Sequence, residues 1–382
     1  MNCNLQYVST EYRTIMQNAL STNRCVNRNL SYAEYSNATV LPFLGWEKSF
    51  GCVLDVNKQI IPEPNKNQWL ENPSLYDMSH IDMVHKDVIY LGFMHTCFGH
   101  WFTDNIRKIW FLQNERFMSM ERSGKIALVY TIDTNKPLTE SQLFFFDLLG
   151  INLRDAIVVD KPMQFDKVII PDDAFCDYEE KGRQYTAEMA AIWNEIGREI
   201  DKSSKNSFSP EKIYFTRTNF SSGKDYGEQV IEDAFSKLGY TIISPEYLPL
   251  MSQLQLVRNC KNFAATEGSL THFALFCKYD TNVIIISKVR ALNTHQLCAN
   301  EYANLNVTYI EAHRSTRADA IHPWWGPFYL CVTPYLEQYV GHRIMHLPDI
   351  IRPTYWIYTR KIWVRAYRWM MRKLNSRTRN VK

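Results

Sequence analysis

The chain has 382 residues, of which 46% are hydrophobic and 22% are charged, with 14 glycines and 15 prolines. This composition excludes collagen-like, disordered and disulfide-scaffold proteins, and the length predicts two domains of about 150 residues each. The net charge of +3 hides an asymmetry, because residues 350–382 contain ten Lys or Arg and no acidic residue. The remaining residues therefore carry 33 basic and 40 acidic side chains, a net charge of −7.

Nine cysteines lie singly along the chain and form no CxxC pair. We therefore expect reduced thiols in a cytosolic compartment, and neither a zinc knuckle nor a redox motif. The N-terminal residues lack the basic start and apolar core of a signal peptide, and no apolar run reaches the ~18 residues of a membrane span. The sequence thus predicts a cytoplasmic protein.

The first half of the chain alternates between strand-like and helix-like runs after a polar leader. We expect residues 1–60 to be a leader packed on the first domain, which spans 61–205. Predicted strands lie at residues 87–93, 125–131, 156–160 and 167–170, predicted helices at 98–115 and 139–149, and a long amphipathic helix at 185–200. Strands separated by helices favour a parallel sheet covered on both faces.

The second half repeats this alternation after a polar linker at residues 202–210. We predict strands at residues 212–217, 240–244, 262–266 and 282–287, with helices at 228–238, around 250–257 and at 269–277. This β-α-β-α-β-α-β order is Rossmann-like and defines a second domain at 206–320, followed by C-terminal helices at 321–382. Two such halves predict a two-lobed α/β protein with its ligand site at the carboxyl ends of the strands.

The first chemical cluster follows the strand at residues 87–93. His100 and Asp104 are four residues apart, which places them on one face of the predicted helix. Such a pair offers a proton acceptor with an orienting partner, as general-base activation of a hydroxyl requires. The alternatives are a helix-cap histidine with a surface aspartate, or a metal site that includes His95, although the spacing matches no established zinc site.

The second cluster, residues 266–272, follows a strand and opens a predicted helix. Gly268 permits close backbone approach, and the helix N-terminus offers free N–H groups to an anion such as a diphosphate. Glu267 is positioned to accept hydrogen bonds from ribose hydroxyls. The alternative is a simple strand-to-helix turn, and the segment is neither GxGxxG nor a P-loop.

Isolated polar residues lie at other strand ends of the second half. Arg217 ends the strand at 212–217, where its guanidinium can bridge two phosphate oxygens or pair with a surface carboxylate. Lys224 is a weaker candidate of the same kind. Glu246 and Gln253 follow the next strand and by themselves suggest only structural roles.

Together these segments resemble glycosyltransferase family 61, over roughly residues 93–287. His100-Trp-Phe-Thr-Asp104-Asn-Ile-Arg107 resembles the family's H-W-x-x-D-x-L-P-R segment, without its proline, and residues 212–217 resemble its strand ending in Arg. Residues 239–246 with Gln253 resemble G-x-x-V-x-x-P-E and the Gln that follows it, and residues 265–272 resemble H-G-A-x-L-T-N. Glu267 stands where the family often has His, and His272 lies near its usual Asn.

The resemblance implies a GT-B fold and inverting transfer from a nucleotide sugar, with no obligatory metal or other cofactor. Asp104 or His100 would be the base, with Asp104 slightly favoured. The donor-binding residues would be Arg217, Lys224, Glu246, Gln253, Glu267, Gly268, Ser269, Thr271 and His272. The family acts in capsule and surface-polysaccharide synthesis, which implies a glycan or lipid-linked acceptor. A non-catalytic glycan- or nucleotide-binding protein that retains the fold is the alternative.

The basic tail has aromatic residues at roughly helical spacing, with Lys361, Arg365, Arg368 and Arg372 on another face. Such a helix is typical of peripheral binding to an anionic membrane surface, where each basic residue contributes roughly 1 kcal/mol. We therefore expect residues 353–382 to hold the protein on the inner face of the membrane. The alternative is a helix packed back on the first domain. Nucleic-acid binding is not expected, because no recognition motif is present.

Overall fold

The computed structural model describes residues 1–62, 71–134, 136–178, 182–203, 210–220, 225–314 and 326–344. In chain order the strands are β1 (Asn2–Tyr7), β2 (Tyr32–Ser36), β3 (Thr39–Val40), β4 (Val53–Leu54), β5 (Asp82–Met94), β6 (Ile126–Ile132), β7 (Ile157–Val158), β8 (Met163–Pro171), β9 (Phe175–Tyr178), β10 (Gly182–Tyr185), β11 (Lys212–Phe215), β12 (Asp225–Tyr226), β13 (Thr241–Ile243), β14 (Asn262–Thr266), β15 (Asn282–Ser287), β16 (Asn306–Glu311) and β17 (Phe328–Tyr329).

The α-helices are α1 (Thr10–Leu20), α2 (Ile109–Leu112), α3 (Glu115–Arg122), α4 (Glu140–Leu148), α5 (Ala187–Ser203), α6 (Gln229–Lys237), α7 (Leu250–Asn259), α8 (Thr294–Tyr302) and α9 (Pro334–Val340). Short 3-10 helices lie at Pro73–Leu75, Phe98–Phe102, Asp104–Ile106, Leu153–Asp155, Pro245–Tyr247 and Thr271–Phe276.

The strands build two main sheets. The first has the order β4-β3-β8-β5-β6-β7, and its strands β8, β5, β6 and β7 run parallel to one another. Strands β2 and β3 both pair antiparallel with β8. The second sheet has the order β1-β16-β15-β14-β11-β13, and every pairing in it is parallel. The α/β class and the parallel sheets expected from the sequence are confirmed.

The first 60 residues are divided between the two sheets. Strand β1 pairs with β16 at the edge of the second sheet, whereas β2, β3 and β4 join the first. This differs from the expected leader packed on the first domain. The partner of β1 lies some three hundred residues away along the chain, and such a long-range pairing leaves no local signal in the sequence. The domain boundaries stay a prediction.

The predicted helix at residues 98–115 is wrong. The segment forms two 3-10 turns and the short α2, and α3 begins only at Glu115. Thr103, at φ −123° and ψ −96°, lies outside the helical region and separates the two turns. The Asn105 side chain bonds both the N–H and the C=O of His95, at 3.0 and 2.9 Å. Side-chain bonds of this kind compete with the regular helical ladder.

One hydrophobic core extends across both sheets. It contains Ile89 and Leu128 of the first sheet together with Phe263 and Ile285 of the second. Helix α5 packs against α2, α4 and α7 and contributes a fully buried stripe that consists of Met189, Ile192, Trp193, Ile196 and Ile200. Each fully buried side chain of this size stabilises the fold by about 1.5–3 kcal/mol. The stripe therefore joins the two sheets.

Among the described residues, no helix is both long and apolar enough to cross a membrane. The basic tail at residues 353–382 lies outside the described residues, so its helix and its membrane contact stay predictions. All nine cysteines lie within the described residues and are free thiols.

Candidate active site

His100 and Asp104 are in contact, although they do not share a helix. The ring Nδ1 of His100 hydrogen-bonds Asp104 Oδ2 across the junction of the two 3-10 turns. Arg107 stabilises this junction, because its Nη1 donates to Asp104 O at 2.8 Å and to Phe93 O at 3.1 Å. The His100 side chain keeps 23% of its surface exposed, while that of Asp104 keeps 14%. The pair is therefore accessible through the histidine.

Three other groups lie against the Asp104 carboxylate, and two of them hydrogen-bond it. His295, in the first turn of α8, approaches Asp104 Oδ2 with its Nε2 at 2.7 Å. The Thr103 hydroxyl donates to the same oxygen at 3.1 Å, and Arg183 Nε lies 3.6 Å from Oδ1. Burial alone would raise the pKa of Asp104, but the electrostatic interactions and hydrogen bonds with His295 and His100 outweigh it and hold that pKa well below its usual value. Asp104 is consequently ionised throughout the neutral range.

The ionised state of Asp104 fixes the tautomer of His100. An ionised carboxylate only accepts hydrogen bonds, so Nδ1 of His100 must carry the hydrogen. In the neutral ring, Nε2 then holds the lone pair. A carboxylate with a strongly lowered pKa is a poor base, whereas the oriented imidazole is a good one. The geometry thus favours His100 over Asp104 as the proton acceptor.

Three further imidazoles surround this pair. His95 stacks on His100 with ring centroids 4.2 Å apart, and His272 lies 5.5 Å from His295 by the same measure. Burial, then the charge of His100, lowers the pKa of His95 to about 3 and that of His272 to about 4. Burial, then Arg183, holds the pKa of His295 well below its usual value. These three rings are therefore neutral at pH 7.

The turn at residues 267–272 lies directly against the 3-10 turn of His100. A methyl group added to Gly99 would come within 2.9 Å of His272 Nδ1 and 3.1 Å of Ser269 Oγ. The His272 ring also faces Asn293, whose Nδ2 lies 3.4 Å from Nε2. The structure thus brings together the two clusters that the sequence singled out.

The helix predicted at residues 269–277 differs in type and start from the observed one. The helix is a six-residue 3-10 segment, Thr271–Phe276, whose residues are all buried. The N–H of Glu267 donates to Ile286 O at 2.9 Å, and that of Gly268 donates to Thr271 Oγ1 at 3.3 Å. These two N–H groups are therefore engaged within the protein, and the diphosphate site at this turn stays a prediction.

Three charged side chains lie together at the carboxyl edge of the second sheet. Arg217 follows β11, and its Nε lies 2.8 Å from Asp225 Oδ2. Lys288 follows β15, and its Nζ lies 3.1 Å from Asp225 Oδ1 and 4.1 Å from the centre of the Phe328 ring. Burial lowers the pKa of Lys288, although Asp225 opposes the shift. The three side chains carry a net charge of +1, which suits an anionic ligand.

Glu267 lies in the same region but is fully buried. Its two carboxylate oxygens lack hydrogen bonds of ordinary geometry. Burial raises the pKa of Glu267 to about 8, although the charge of Lys288 and the nearby Ser287 hydroxyl lower it in part. A methyl group on Gly268 would lie 3.4 Å from Lys288 Nζ, so the turn and Lys288 are neighbours. Glu267 is 1% exposed and does not face solvent as a ribose-binding carboxylate would.

The other predicted donor residues have different surroundings. Glu246 lies at the end of β13, with Oε1 buried and without a hydrogen bond. Gln253 donates to Leu248 O at 2.9 Å and closes the loop before α7. Thr271 is buried and donates to Gly268 O at 2.9 Å. Lys224 lies outside the described residues. The donor-binding roles of all nine residues stay predictions.

Sequence reasoning missed His295, Arg183 and Lys288. His295 follows Asn293, whose side chain accepts from Gln296 N at 3.2 Å, and an Asn placed before a helical stretch is a recognisable N-cap signal. Arg183 lies in β10, between the strand predicted at residues 167–170 and the helix predicted at 185–200, and its Nη1 donates to Thr294 at 3.4 Å. Lys288 follows a predicted strand directly, where the chemistry of parallel sheets concentrates.

His100, Asp104 and His295 are also arranged as metal ligands. Their ligand atoms all lie within 4.8 Å of one another. Two imidazoles and one carboxylate suit Fe(II) or similar divalent ions. The nearby guanidinium of Arg183 opposes a second cation, and both rings already donate to the carboxylate. The three residues are therefore suitable metal ligands by type, but the positive charge of Arg183 opposes metal binding.

Residues 98–284 match the family model described as Glycosyltransferase 61. This match identifies the chain as glycosyltransferase family 61 over that segment. The chain is therefore a glycosyltransferase, and the matched segment contains His100, Asp104, Arg183, Arg217 and the turn at residues 267–272. Lys288 and His295 lie just beyond its end.

Two solved structures resemble this family 61 chain at a low level. One is the bacterial iron-containing dodecameric glycosyltransferase TibC from enterotoxigenic E. coli H10407, with 14% identity over 70% of this chain and 80% of that chain and a TM-score of 0.25. The other is the dodecameric iron-containing heptosyltransferase TibC in complex with ADP-D-beta-D-heptose, with 14% identity over 72% and 80% and a TM-score of 0.26. Among curated protein sequences, none matches the chain.

Proposed function

We propose that this protein is an inverting glycosyltransferase of GT-B type that moves a sugar from a nucleotide sugar to a glycan or lipid-linked acceptor in surface-polysaccharide synthesis. The observation that carries the proposal is the His100–Asp104 pair, held against the turn at residues 267–272 in a family 61 chain. The two clusters come from opposite halves of the chain. Their contact places a proton acceptor beside the carboxyl edge of a parallel sheet, where nucleotides bind in such folds.

His100 is the base in this proposal, and Asp104 is its positioning residue. Nε2 of His100 takes the proton of the acceptor hydroxyl while the oxygen forms a bond to the anomeric carbon of the donor sugar. The bond from that carbon to the phosphate oxygen breaks, and the nucleoside diphosphate leaves with the electron pair. Attack from the face opposite the leaving group inverts the configuration. Asp104 stabilises the imidazolium that forms.

Arg217 and Lys288 hold the diphosphate. Their shared partner Asp225 leaves one positive charge uncompensated, and two flexible cationic side chains adapt to the phosphate oxygens. Positive charge aimed at the leaving group stabilises the charge that develops there in the transition state. Transfer then needs no obligatory metal.

The test is transfer or hydrolysis of a panel of nucleotide sugars by the purified protein. His100→Ala lowers kcat by about 10²–10⁴, the range for loss of a general base, and Asp104→Asn lowers it by a similar order because the tautomer of His100 is no longer fixed. His85→Ala is the matched control, since this histidine side chain is 79% exposed on β5. Full activity of both site variants would refute the assignment. Binding of a nucleotide sugar with no turnover by the wild-type protein would mark a non-catalytic binding protein instead.

We also propose that residues 353–382, outside the described residues, hold the enzyme on the cytoplasmic face of an anionic membrane. Ten basic residues and no acidic ones in 350–382 support this. Full-length protein should sediment with vesicles of phosphatidylcholine and phosphatidylglycerol but not with phosphatidylcholine alone, and high salt should release it. A chain ending at residue 352 should stay in the supernatant. Equal sedimentation of both chains would refute the membrane role.

A further inference from the structure

Trp46 is exposed beside the candidate active site. It lies on a tight turn that is closed by hydrogen bonds from the N–H groups of Lys48 and Ser49 to Gly45 O, at 3.0 and 3.2 Å. More than half of its surface, 54%, is exposed. Single exposed aromatic residues are common on protein surfaces. Its significance therefore depends on what it contacts.

The Trp46 ring is one end of a stack that leads to His100. Its ring lies 5.2 Å from that of His95 at an interplanar angle of 22°, and His95 lies 4.2 Å from His100 at 24°. Each ring is thus nearly parallel to its neighbour, with the proposed base at the inner end, His95 in the middle and the exposed indole at the outer end. A ligand on the open face of Trp46 therefore lies on the same side of the site as the base, but separated from it by the His95 ring.

Three phenylalanines hold the indole in place. Phe43, Phe50 and Phe93 contact Trp46 edge to face, with ring centroids 5.6, 5.3 and 6.2 Å away. Phe50 and Phe93 are themselves buried. A ring that is already fixed loses little conformational freedom when a ligand binds to it, which favours binding.

We propose that Trp46 is the platform on which a pyranose ring of the acceptor stacks. This inference rests on the proposed function. The C–H face of a pyranose is apolar and packs on an aromatic ring, while its hydroxyls remain free at the edge. A sugar unit stacked on Trp46 can therefore anchor a glycan acceptor whose next unit carries the attacking hydroxyl towards His100 Nε2. Because Arg217 and Lys288 lie at the carboxyl edge of the other sheet, Trp46 governs binding of the acceptor and not of the donor.

The binding test uses the full-length protein and the methyl pyranosides of glucose, galactose and mannose, measured by saturation-transfer NMR. At least one glycoside should bind the wild-type protein. Trp46→Ala should raise its Kd about tenfold, a plausible loss for one aromatic stacking contact, and Trp46→Phe should restore most of the affinity. Tyr279→Ala is the control, since Tyr279 is 70% exposed at a separate turn. Melting temperatures of all variants verify that they are folded.

Two results would refute the proposal that Trp46 binds a pyranose ring of the acceptor. One is that none of the glycosides binds the wild-type protein, and the other is that Trp46→Ala binds as well as wild type.

A kinetic test separates this inference from the proposed function. Hydrolysis of the nucleotide sugar, with water as acceptor, should be unchanged in Trp46→Ala, while transfer to a glycan acceptor of two or more pyranose units falls. If wild type and Trp46→Ala transfer the sugar equally well, only the role of Trp46 is refuted. If glycoside binding depends on Trp46 but the wild-type protein shows no turnover, only the proposed function is refuted.

Discussion

His295 Nε2 lies 2.7 Å from Asp104 Oδ2, although 191 residues separate the two along the chain. Asp104 thereby accepts hydrogen bonds from two histidines, one beside it in sequence and one from α8. The carboxylate that orients His100 is itself oriented by a residue of the second half. The proposed base thus depends on the packing of α8 as well as on its own turn.

His295→Ala should lower kcat while leaving the donor KM nearly unchanged. Loss of a hydrogen bond to a charged group costs about 1.5–3 kcal/mol, so kcat should fall about 10–100-fold. The variant should also shift the acidic limb of the pH–rate profile, because Asp104 loses one of the two imidazoles that lower its pKa. His85→Ala provides the comparison. An unchanged profile together with unchanged kcat would show that His295 has no positioning role.

Much of the second sheet was predictable from local sequence. Strands β14 and β15 have the predicted bounds, because each is an uninterrupted apolar run bounded by polar residues. The pairing of His100 with Asp104 was predicted from a helix that does not exist. The contact itself was nevertheless correct, because the bend at Thr103 between the two 3-10 turns brings the two side chains together.

The rest of the site depends on tertiary structure. His295 meets Asp104 only after α8 docks, and no periodicity encodes that contact. Lys288 is charged and follows a strand, so its sequence looks like a solvated strand end, whereas it is 7% exposed. Glu267 is 1% exposed, and only the packed structure excludes water from it. Local patterns predict elements, but burial of charged groups is a property of the whole fold.

Glu267→Gln should alter the pH dependence of stability. The pKa of this carboxyl is raised to about 8 in the folded protein from an ordinary value of 4.5. Between these pH values the folded protein keeps a proton that the unfolded chain releases, so the contribution of Glu267 to stability falls as the pH rises. Gln does not titrate and avoids this loss. The Tm advantage of Glu267→Gln over wild type should therefore be larger at about pH 8.5 than at about pH 5.5.

The control for this measurement is Glu47→Gln, at an exposed position. Its Tm difference from wild type should be the same at both pH values. Scanning calorimetry or dye-monitored melting provides the data. Should the advantage of Glu267→Gln fail to grow with pH, the carboxyl would have to be ionised when folded.

Lys288→Met should weaken donor binding more than turnover. The substitution keeps the apolar stem beside Phe328 and removes the charge, leaving Arg217 as the partner of Asp225. Loss of one charge-assisted contact should raise the donor KM about tenfold or more. Lys288→Arg should retain part of the affinity, and the exposed Lys278→Met should behave as wild type. Equal donor KM values for Lys288→Met and wild type would exclude a phosphate contact.

Removal of metal ions should leave transfer unchanged. Arg217 and Lys288 supply the positive charge that a metal would otherwise bring to the diphosphate. After dialysis against a chelator, kcat and donor KM should match those of untreated protein, and mass spectrometry of the digested protein should find less than one equivalent of metal. The contrary result is one bound equivalent that disappears in His295→Ala, with activity restored by adding the ion. It would mean that His100, Asp104 and His295 are ligands and that the base must be sought elsewhere.

Gly99→Ala should reduce both stability and transfer. Its methyl group would meet His272 Nδ1 at 2.9 Å and Ser269 Oγ at 3.1 Å, so one of the two turns must shift. Overpacking of this kind costs about 1–3 kcal/mol in urea unfolding. The double variant Gly99→Ala/Ser269→Gly should recover part of both losses, because the second change removes one of the two obstructing groups. If the effects of the two substitutions on stability and transfer are strictly additive, the two turns are not in contact. Non-additive effects would show that the position of His100 depends on the turn at residues 267–272.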